Sequence, residues 1–412
     1  MLWIYNIGIV LYGLLLKVAA IFNPKAKLFV NGRKKIFDTI EQRLKDNVGS
    51  VWFHFASLGE FEQGRPVLEQ LKAINPDQKI VVTFFSPSGY EIRKNYALAD
   101  VFYLPLDTPK NAKKFITIVK PKLAIFTKYE FWYHYFKVLN DQHIPLYLIS
   151  GIFRPSQIFF KSYGSFYREI LKFVTHFFVQ NEESVMLLKD IGINEVTLSG
   201  DTRFDRVYEN AQTPKRLIEI EKFCGDFNVF VAGSTWPEDE NRLDSIIKKY
   251  PDWKFIIAPH EIGTSHIEQI EKLFPTAIKY SEFNSQLANG SSKDDIAPSA
   301  KILIIDNIGM LSSLYQYGKI AYIGGGFGVG IHNTLEAAAF GLPVIFGPKY
   351  DKFQEAKDLI SINAAKSISN AEELLDAFEF FKSNEAAAAS AKNYVLTKKG
   401  ATGMIVEMIV KR

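Results

Sequence analysis

The feature that most constrains the fold is an alternation of short apolar runs with amphipathic stretches, which continues through most of the chain. In the first half, the apolar runs predict these buried strands: Val51–Phe55, Lys79–Phe84, Leu123–Phe126, Tyr147–Ser150 and His176–Val179. Stretches with helical periodicity, such as Phe61–Ile74 and Asn111–Val119, lie between them. Strands that alternate with helices in this way favour a parallel, doubly wound sheet.

A second series of the same kind occupies the second half of the chain. Its predicted strands are Val229–Ala232, Lys254–Ala258, Ala277–Tyr280, Ile302–Ile305, Ile320–Ile323 and Pro343–Phe346. Helices are predicted between them, for example at Glu240–Lys249 and Thr334–Phe340, and the mixed, charged segment Asp205–Gly225 is the predicted connection. We therefore expect an α/β protein with two Rossmann-like, doubly wound domains, residues 25–205 and 206–412. They should face a cleft and bind ligands beyond the carboxyl ends of their strands.

Composition and charge exclude several classes of protein. Hydrophobic residues make up 47% and charged residues 23%, which excludes a disordered, collagen-like or coiled-coil chain. The single cysteine, Cys224, excludes a disulfide framework or a zinc cluster of cysteines and fits a reducing compartment. Residues 1–200 carry 25 Lys+Arg and 17 Asp+Glu, a net charge of +8, whereas the whole chain has +4. The basic half indicates an anionic partner, such as nucleic acid, a membrane surface or a phosphorylated substrate, or else ordinary surface variation.

The N-terminal segment reads as a membrane-anchor helix, residues 1–24, in which Asn6 and Lys17 are the strongly polar side chains of an apolar run. Its first 22 residues would form a helix of about 33 Å, close to the thickness of a bilayer's hydrocarbon core. No basic side chain precedes Lys17, so a cleaved secretory signal is not expected. The basic residues that follow keep the body of the protein in the cytoplasm: Lys25, Lys27, Arg33, Lys34 and Lys35. A span and an in-plane helix both fit, and a buried core helix is the structural alternative.

The strongest local motif is glycine-rich and runs from Tyr322 to Glu336 (YIGGGFGVGIHNTLE). A predicted strand enters a glycine turn and then a helix at about Thr334, so backbone amides and the helix N-terminus are suited to a phosphate. The spacing does not match the dinucleotide pattern, and no Walker lysine follows. Glu336 lies in the first helical turn, where its carboxylate either accepts two ribose hydroxyls or partners the helix dipole.

Two further motifs end strands of the second half. The residues Gly233, Ser234 and Thr235 offer amides and hydroxyls that either hold an anion or cap the following helix. Pro259 and His260 end the next predicted strand at the same cleft edge, although a lone histidine is more often structural.

Three charged residues follow strands of the first half. Glu60 is placed near a helix N-terminus, where it serves either as a general base toward a hydroxyl or as a helix cap. Glu130 follows a later strand and faces the same cleft. Arg203 has two possible roles: it either stabilises a phosphate or a developing charge, or it pairs with Asp205. The chain has no HExxH, GxSxG, CxxC or D-x-D motif, so metal-dependent and triad hydrolysis lose support.

Together these motifs resemble those of the Kdo transferases of lipopolysaccharide assembly, which transfer 3-deoxy-D-manno-octulosonic acid (Kdo). The resemblance covers nearly the whole chain, including the apolar N-terminus. Its motifs are His54–Glu60, Ser86–Gly89, Leu104–Asp107, Glu130–Trp132, Gly200–Asp205, Ala232–Thr235, Asp306–Leu311 and Gly324–Glu336. It implies the GT-B glycosyltransferase fold, with the acceptor bound by the N-terminal domain and a CMP-sugar by the C-terminal domain. It also implies transfer from CMP-Kdo to the lipid A precursor lipid IVA at the cytoplasmic face of the inner membrane, without a metal or other cofactor.

By the same resemblance, Glu60 is the general base, and Glu130 and Arg203 stabilise the transition state. The residues matching the donor site are Gly233, Ser234, Thr235, Pro259, His260, Ile308, Gly309, Met310, Asn333, Thr334, Leu335 and Glu336. Four positions depart from the common pattern. Lys128 stands in place of an acidic residue, Arg203 in place of a lysine, His260 in place of an arginine and Trp236 in place of a histidine.

Three other functions compete with this interpretation. A different GT-B enzyme would use a UDP-sugar, as a transferase or a UDP-GlcNAc 2-epimerase, although a soluble epimerase has little use for the apolar N-terminus. A catalytically silent, membrane-bound binding protein would not need Glu60, Glu130 and Glu336 together. Nucleic acid is not an expected partner, because the basic residues are scattered and no binding motif is present.

Overall fold

The chain forms two compact units. The computed structural model describes residues 1–289 and 300–411. The first unit comprises residues 1–205 together with the segment that starts at Lys399, and the second comprises Arg206–Lys398. The predicted second domain extended to residue 412, and the structure differs because the last helix packs with the first unit.

The first unit contains a parallel sheet of seven strands. They are β1 (Ser50–Phe55), β2 (Lys79–Phe84), β3 (Asp100–Tyr103), β4 (Pro121–Thr127), β5 (Leu146–Gly151), β6 (His176–Val179) and β7 (Val196–Leu198). Their spatial order is β3-β2-β1-β4-β5-β6-β7, so the winding direction reverses between β1 and β4. Ligands bind at such a switch point in open α/β sheets, beyond the carboxyl ends of the strands.

Helices cover this sheet and connect its strands. They are α1 (Leu2–Ala19), α2 (Pro24–Asn31), α3 (Ile36–Arg43), α4 (Leu58–Ile74), α5 (Pro87–Arg93), α6 (Pro109–Val119), α7 (Tyr133–Asp141), α8 (Ser165–Lys172) and α9 (Glu182–Asp190). The next helix, α10 (Thr202–Gln212), begins in this unit and continues into the second, which starts at Arg206. The strands are almost continuously apolar because both faces of the sheet are covered, and aromatic rings fill much of the core, with Trp52, Phe53 and Phe55 fully buried on β1.

The second unit repeats this architecture. Its strands are β8 (Asn228–Thr235), β9 (Trp253–Pro259), β10 (Ile278–Lys279), β11 (Ile302–Ile304), β12 (Ile320–Ile323), β13 (Val344–Phe346) and β14 (Ala365–Ser367). Its described helices are α11 (Ile218–Cys224), α12 (Pro237–Lys249), α13 (Thr264–Leu273), α14 (Tyr280–Ala288), α15 (Leu311–Leu314), α16 (Leu335–Ala339), α17 (Gln354–Ser361), α18 (Ala371–Phe381) and α19 (Glu385–Lys398). The strand order is β10-β11-β9-β8-β12-β13-β14, which puts the switch point between β8 and β12.

Each strand predicted from the sequence is present, and the two doubly wound sheets are confirmed. The prediction missed β3, β7 and β14, which have three or four residues each. The predicted connection Asp205–Gly225 contains most of α10 and the whole of α11.

The last helix, α20 (Ala401–Val410), returns to the first unit and packs against α4. Its Ile405 and Val406 enter the core of that unit. The carboxylate of Asp205 accepts hydrogen bonds from the backbone of Gly400 and from the backbone and hydroxyl of Thr402, at 2.6–3.0 Å. Asp205 therefore ties the start of α20 to the start of α10.

The N-terminal helix α1 lies against the first unit along one face. Tyr5 donates a hydrogen bond of 2.5 Å to Asp107, and Asn6 bonds His134 at 2.6 Å. Ile9 is the one buried residue of α1, so the alternative of a core helix is wrong. By length and composition α1 is able to cross a membrane. Its opposite face is an exposed apolar stripe: Trp3, Ile4, Ile7, Val10, Leu11, Leu14, Leu15 and Val18.

Candidate functional site

The predicted catalytic residues of the first unit follow strands at its switch point. Glu60 lies in the first turn of α4, directly after β1, and Glu130 lies in the loop after the neighbouring strand β4. The structure brings the two carboxylates close enough for the charge of Glu130 to raise the pKa of Glu60. Neighbouring strands at the switch point therefore supply a pair of carboxylates with different surroundings.

Glu60 is held at the start of its own helix. Its Oε2 accepts a hydrogen bond of 2.5 Å from the backbone N–H of Ala56, which precedes Ser57, the N-cap of α4, and Ser57 itself makes no side-chain cap hydrogen bond. Burial raises the pKa of Glu60 to about 7, the hydrogen bond from Ala56 opposes this rise, the charge of Glu130 adds to it and that of Lys128 opposes it. A carboxylate with a pKa near neutrality is suited to remove a proton from a hydroxyl.

Glu130 is held by two ring N–H donors. His54 Nε2 lies 2.6 Å from its Oε2, and Trp132 Nε1 donates to the same oxygen at 3.2 Å. His54 belongs to the buried strand β1, and the side chain of Glu130 is 17% exposed. Glu130 thus presents an oriented carboxylate to the sheet edge.

Lys128 lies in the loop between β4 and Glu130 and has a left-handed backbone conformation, with φ of +59°. Its charge lowers the pKa of Glu60. The basic residue at this departure from the family pattern therefore acts electrostatically on the predicted base.

Arg203 lies in the first turn of α10, at the same carboxyl edge as Glu60. Its guanidinium donates from Nε to Asp201 at 2.8 Å, and its backbone N–H bonds the same carboxylate at 2.9 Å. The carboxylate of Asp205, the partner considered from the sequence, accepts hydrogen bonds from the backbone of Gly400 and Thr402 at the start of α20. Thr202 bonds the carbonyl of Gln63, so the start of α10 is joined to α4.

The glycine-rich motif of the second unit lies at that unit's switch point, between β8 and β12. Gly324 bonds the carbonyl of Gly233 at 2.9 Å, and a Cβ added to Gly324 would lie 2.2 Å from the carbonyl oxygen of Ser234. Gly325 and Gly330 have φ of +90° and +128°, which favours glycine. Close backbone approach therefore explains Gly324, and left-handed geometry explains Gly325 and Gly330.

The Gly233–Thr235 turn has a structural function of its own. The hydroxyl of Thr235 donates to the buried Glu240 at 2.8 Å, and Glu240 also contacts His266 at 3.1 Å. The N-cap of α12 is Trp236 rather than Ser234 or Thr235, and its backbone N–H bonds Asp239 at 3.0 Å. The Thr235 hydroxyl is therefore occupied by Glu240. Ser234, which has a left-handed φ of +55°, is half-buried and lies nearer the surface than Thr235.

Three aromatic side chains stack beside this turn. The ring of His260, which follows Pro259 of β9, lies 4.9 Å from Trp236 and 4.3 Å from His332. Trp236 Nε1 donates to His332 Nε2 at 3.3 Å, so Nε2 of His332 carries no proton. Burial and the neighbouring His260 lower the pKa of His332 to about 4. Two of the four departures from the family pattern, Trp236 and His260, thus contact each other.

The remaining predicted donor residues lie in two loops of the second unit. Ile308 is exposed, Gly309 has φ of +95°, and Met310 is buried before α15. In the loop that enters α16, Asn333 donates to Glu336 at 3.1 Å and accepts from the backbone of Leu335 at 3.1 Å. Thr334 is fully buried, and its hydroxyl has no hydrogen-bond partner among the described residues.

Sequence reasoning missed His54 as a site residue and missed the stack that includes His332. His54 begins the His54–Glu60 motif, but its contact with Glu130 depends on the strand register. The β1–β4 and β1–β2 registers bring Glu130 and Thr83 to it. His332 stood within the glycine-rich motif, and only its contact with Trp236 and His260 marks it.

Comparison with known proteins finds relatives of the family that the sequence motifs resemble. Residues 31–206 match the family model of 3-deoxy-D-manno-octulosonic-acid transferase (kdotransferase). The 3-deoxy-D-manno-octulosonic acid transferase of Aquifex aeolicus is 29% identical over 333 residues, which cover 79% of this chain and 83% of the relative. The protein of the same description from Chlamydia muridarum is 26% identical over 367 residues, covering 85% and 82%.

Solved structures show the same fold at low sequence identity. UDP-GlcNAc 2-epimerase from Neisseria meningitidis superposes with a TM-score of 0.61 at 16% identity, covering 88% of this chain and 100% of that one. MurG from Acinetobacter baumannii gives a TM-score of 0.55 at 12% identity, with coverage of 88% and 100%. The predicted GT-B fold is therefore confirmed, and so is the resemblance: the chain is similar in sequence to the Kdo transferases, and its residues 31–206 match their family model.

Proposed function

We propose that this protein transfers Kdo from CMP-Kdo to a hydroxyl of lipid IVA, with Glu60 as the general base. The observation that carries the proposal is the position of Glu60 at the switch point, with a pKa raised to about 7 by burial. In the step, the acceptor oxygen bonds to the anomeric carbon of Kdo, its proton passes to Glu60, and the bond from that carbon to the CMP phosphate breaks. CMP is already a good leaving group, so a base and charge stabilisation suffice.

Glu130 and Arg203 are proposed to stabilise the charge that develops during transfer. An ionised Glu130 favours positive charge at the anomeric carbon, and it is held in one orientation by His54 and Trp132. Arg203 forms an ion pair with Asp201, and 30% of its side chain is exposed to solvent. The oxygen that leaves with CMP gains negative charge, which is the sign that Arg203 favours.

The donor is proposed to bind the second unit at its switch point. The backbone of Gly233–Ser234, the exposed loop at Ile308–Gly309 and the Asn333–Glu336 pair supply amides and a carboxylate for phosphate, base and ribose. The buried hydroxyl of Thr334, without a partner among the described residues, supports a polar ligand near this loop. Pro259 and His260 lie beside the Gly233–Thr235 turn. The backbone N–H of His260 donates to the carbonyl of Thr235 at 2.9 Å.

We propose that α1 lies parallel to the membrane surface, in the plane of the interface. The face of α1 that carries Tyr5, Asn6 and Tyr12 is docked on the first unit, and a helix docked along its length is unable to cross a bilayer without breaking these contacts. The opposite stripe is apolar and exposed, with Trp3 and Leu15 each 67% accessible. An in-plane helix buries such a stripe at the boundary between headgroups and acyl chains.

Basic side chains next to α1 fit an anionic membrane surface. Lys25, Lys27, Lys34 and Lys35 are exposed, whereas Arg33 points inward and bonds the carbonyls of three residues, Phe29, Phe85 and Leu104. Arg33 therefore stabilises the fold rather than orienting the chain in the membrane. The inner membrane and its cytoplasmic face remain the proposed location, because the nucleotide-activated donor and the lipid acceptor meet there.

Nucleotide binding tests the donor side of this proposal. Calorimetric titration of the full chain with CMP and with UDP should show tighter binding of CMP, and release of free CMP from CMP-Kdo should require lipid IVA. Preference for UDP would favour the other GT-B enzymes, whose fold this chain shares. CMP binding without turnover would favour the silent binding protein.

A further inference from the structure

A chain of hydrogen bonds runs from the core of the first unit to Glu130. Trp52 Nε1 donates to Thr83 Oγ1 at 2.8 Å, Thr83 Oγ1 lies 2.8 Å from His54 Nδ1, and His54 Nε2 lies 2.6 Å from Glu130 Oε2. Trp52, Thr83 and His54 are each at most 1% exposed. The chain thus begins in the core and ends on a carboxylate at the switch point.

The register of the sheet builds this chain. His54 on β1 pairs with Thr83 on β2, and Trp52 precedes His54 by two residues, so the two rings lie on the same face of the sheet. The ring of His54 also packs 4.7 Å from that of Phe126, its register partner on β4. His54 is thereby fixed by both neighbouring strands.

The distances define which way the protons point. Thr83 Oγ1 lies 3.4 Å from the carbonyl of Phe53 and 2.8 Å from His54 Nδ1, so the hydroxyl donates its single proton to Nδ1, which accepts it. Nε2 of His54 then carries the proton that it donates to Glu130.

We propose that His54 is a positioning residue, which holds the carboxylate of Glu130 in one orientation for sugar transfer. The inference rests on the proposed function, because it assigns Glu130 to the reaction. Groups that act electrostatically with Glu130 from other elements are Glu60, Arg33 and Tyr12, and none of the contacts given for them replaces the Nε2 bond. A donor fixed by the core reduces the freedom of Glu130 at the moment of charge development.

Two amide substitutions separate this role from simple packing. In His54→Gln, the amide nitrogen occupies nearly the place of Nε2 and donates to Glu130, whereas in His54→Asn the shorter amide reaches only toward Thr83. Both remove the imidazole from its contact with Phe126. With lipid IVA and CMP-Kdo, we expect kcat to fall about 10²-fold in His54→Asn, as for a displaced catalytic group, and about tenfold or less in His54→Gln. The KM for CMP-Kdo should change less than about threefold in both, because the proposed donor residues belong to the second unit.

His176→Gln is the matched control. His176 is a buried histidine of β6 that also bonds a threonine, Thr197, at 2.9 Å, but it begins its strand and so lies at the opposite edge of the sheet from Glu130. The His176→Gln variant should leave kcat unchanged and alter only the melting temperature. The double variant His54→Asn with Glu130→Gln should lose no more than about twofold relative to Glu130→Gln alone, because His54 acts through Glu130.

Three outcomes decide the inference. Equal kcat in His54→Asn and His54→Gln, with both folded, would overturn it, as would a further large loss on adding His54→Asn to Glu130→Gln. Rescue by glutamine together with a small effect in the double variant would support it. A wild-type chain that binds CMP and transfers no Kdo would instead overturn the proposed function, so the two failures are distinguishable.

Discussion

Replacing Glu60 with glutamine is expected to have two effects: it should stop transfer, and it should stabilise the fold. The amide oxygen keeps the hydrogen bond from Ala56, which is 2.5 Å long in the wild type, while the substitution removes a proton acceptor and a buried charge. Loss of a general base lowers kcat by about 10²–10⁴-fold. A helix cap alone would predict the opposite change in stability, because the substitution would then weaken a favourable contact.

The size of the stabilisation follows from the pKa of Glu60. Burial raises that pKa from 4.5 to about 7, and each pKa unit corresponds to about 1.36 kcal/mol of preference for the protonated form in the folded state. Because Glu60 stays partly accessible to water, we expect roughly 1–2 kcal/mol rather than the full product. The folded pKa lies above the unfolded one, so the penalty is absent below pH 4.5, grows as the pH rises and is complete above pH 7.

Scanning calorimetry of the full chain at several pH values measures this effect. The melting temperature of Glu60→Gln should match the wild type at pH 4.5 and exceed it by several degrees at pH 8, since about 1 kcal/mol shifts the melting temperature of a unit this size by about 2–4 °C. Glu69→Gln is the control, because Glu69 lies on the same helix, forms a partly exposed ion pair with Arg65 at 2.7 Å and accepts a hydrogen bond from the Tyr96 hydroxyl at 2.8 Å. It should be neutral or slightly destabilising. The reasoning would be refuted if the difference in melting temperature between Glu60→Gln and the wild type were no larger at pH 8 than at pH 4.5.

Three further predictions concern charge, backbone and membrane. Lys128→Gln removes a charge that lowers the pKa of Glu60, so the rising limb of the pH–rate profile should move to higher pH by less than about one unit; a shift to lower pH would contradict this. Gly324→Ala should destabilise the second unit by about 1–3 kcal/mol, seen in urea unfolding, because the added Cβ would lie 2.2 Å from a backbone oxygen; retained stability would be inconsistent with the close approach. Leu15→Asp should weaken sedimentation with anionic vesicles while Val48→Asp, at another exposed apolar position, should not; equal binding would remove α1 from the membrane surface.

Much of the fold could be predicted from the sequence because buried parallel strands are apolar over their whole length. Runs such as Lys79–Phe84 and Trp253–Pro259 are unmistakable for that reason. The strand β3 was missed because Asp100–Tyr103 is only four residues long and begins with a charged residue that pairs with Arg43 and Lys79. Short edge strands depend on contacts of this kind, which have no local signature.

The return of the last helix to the first unit could not be predicted from local pattern. Its apolar residues Ile405 and Val406 fit a core in either unit, and the choice depends on Asp205, which binds the start of α20 from 195 residues away in sequence. The docking of α1 is similar. In the sequence, Tyr5 and Asn6 are polar positions within an apolar run. Their hydrogen bonds to Asp107 and His134 form only in the folded unit.

The site shows the same division between local and long-range information. Strand ends and glycine spacing placed Glu60, Glu130 and the glycine-rich turn at the carboxyl edges of their sheets. The contacts of their side chains depend on register, so the sequence could not show that Thr235 is occupied by Glu240 or that His54 holds Glu130.

The most direct test of the central claim is transfer by the purified full chain in detergent, given lipid IVA and CMP-Kdo generated in the same reaction, with the product identified by mass spectrometry. We predict that lipid IVA gains one Kdo or more with the wild type and none with Glu60→Gln, while both proteins bind CMP. Unmodified lipid IVA after incubation with a folded wild type that binds CMP would contradict the account, and so would undiminished transfer by Glu60→Gln.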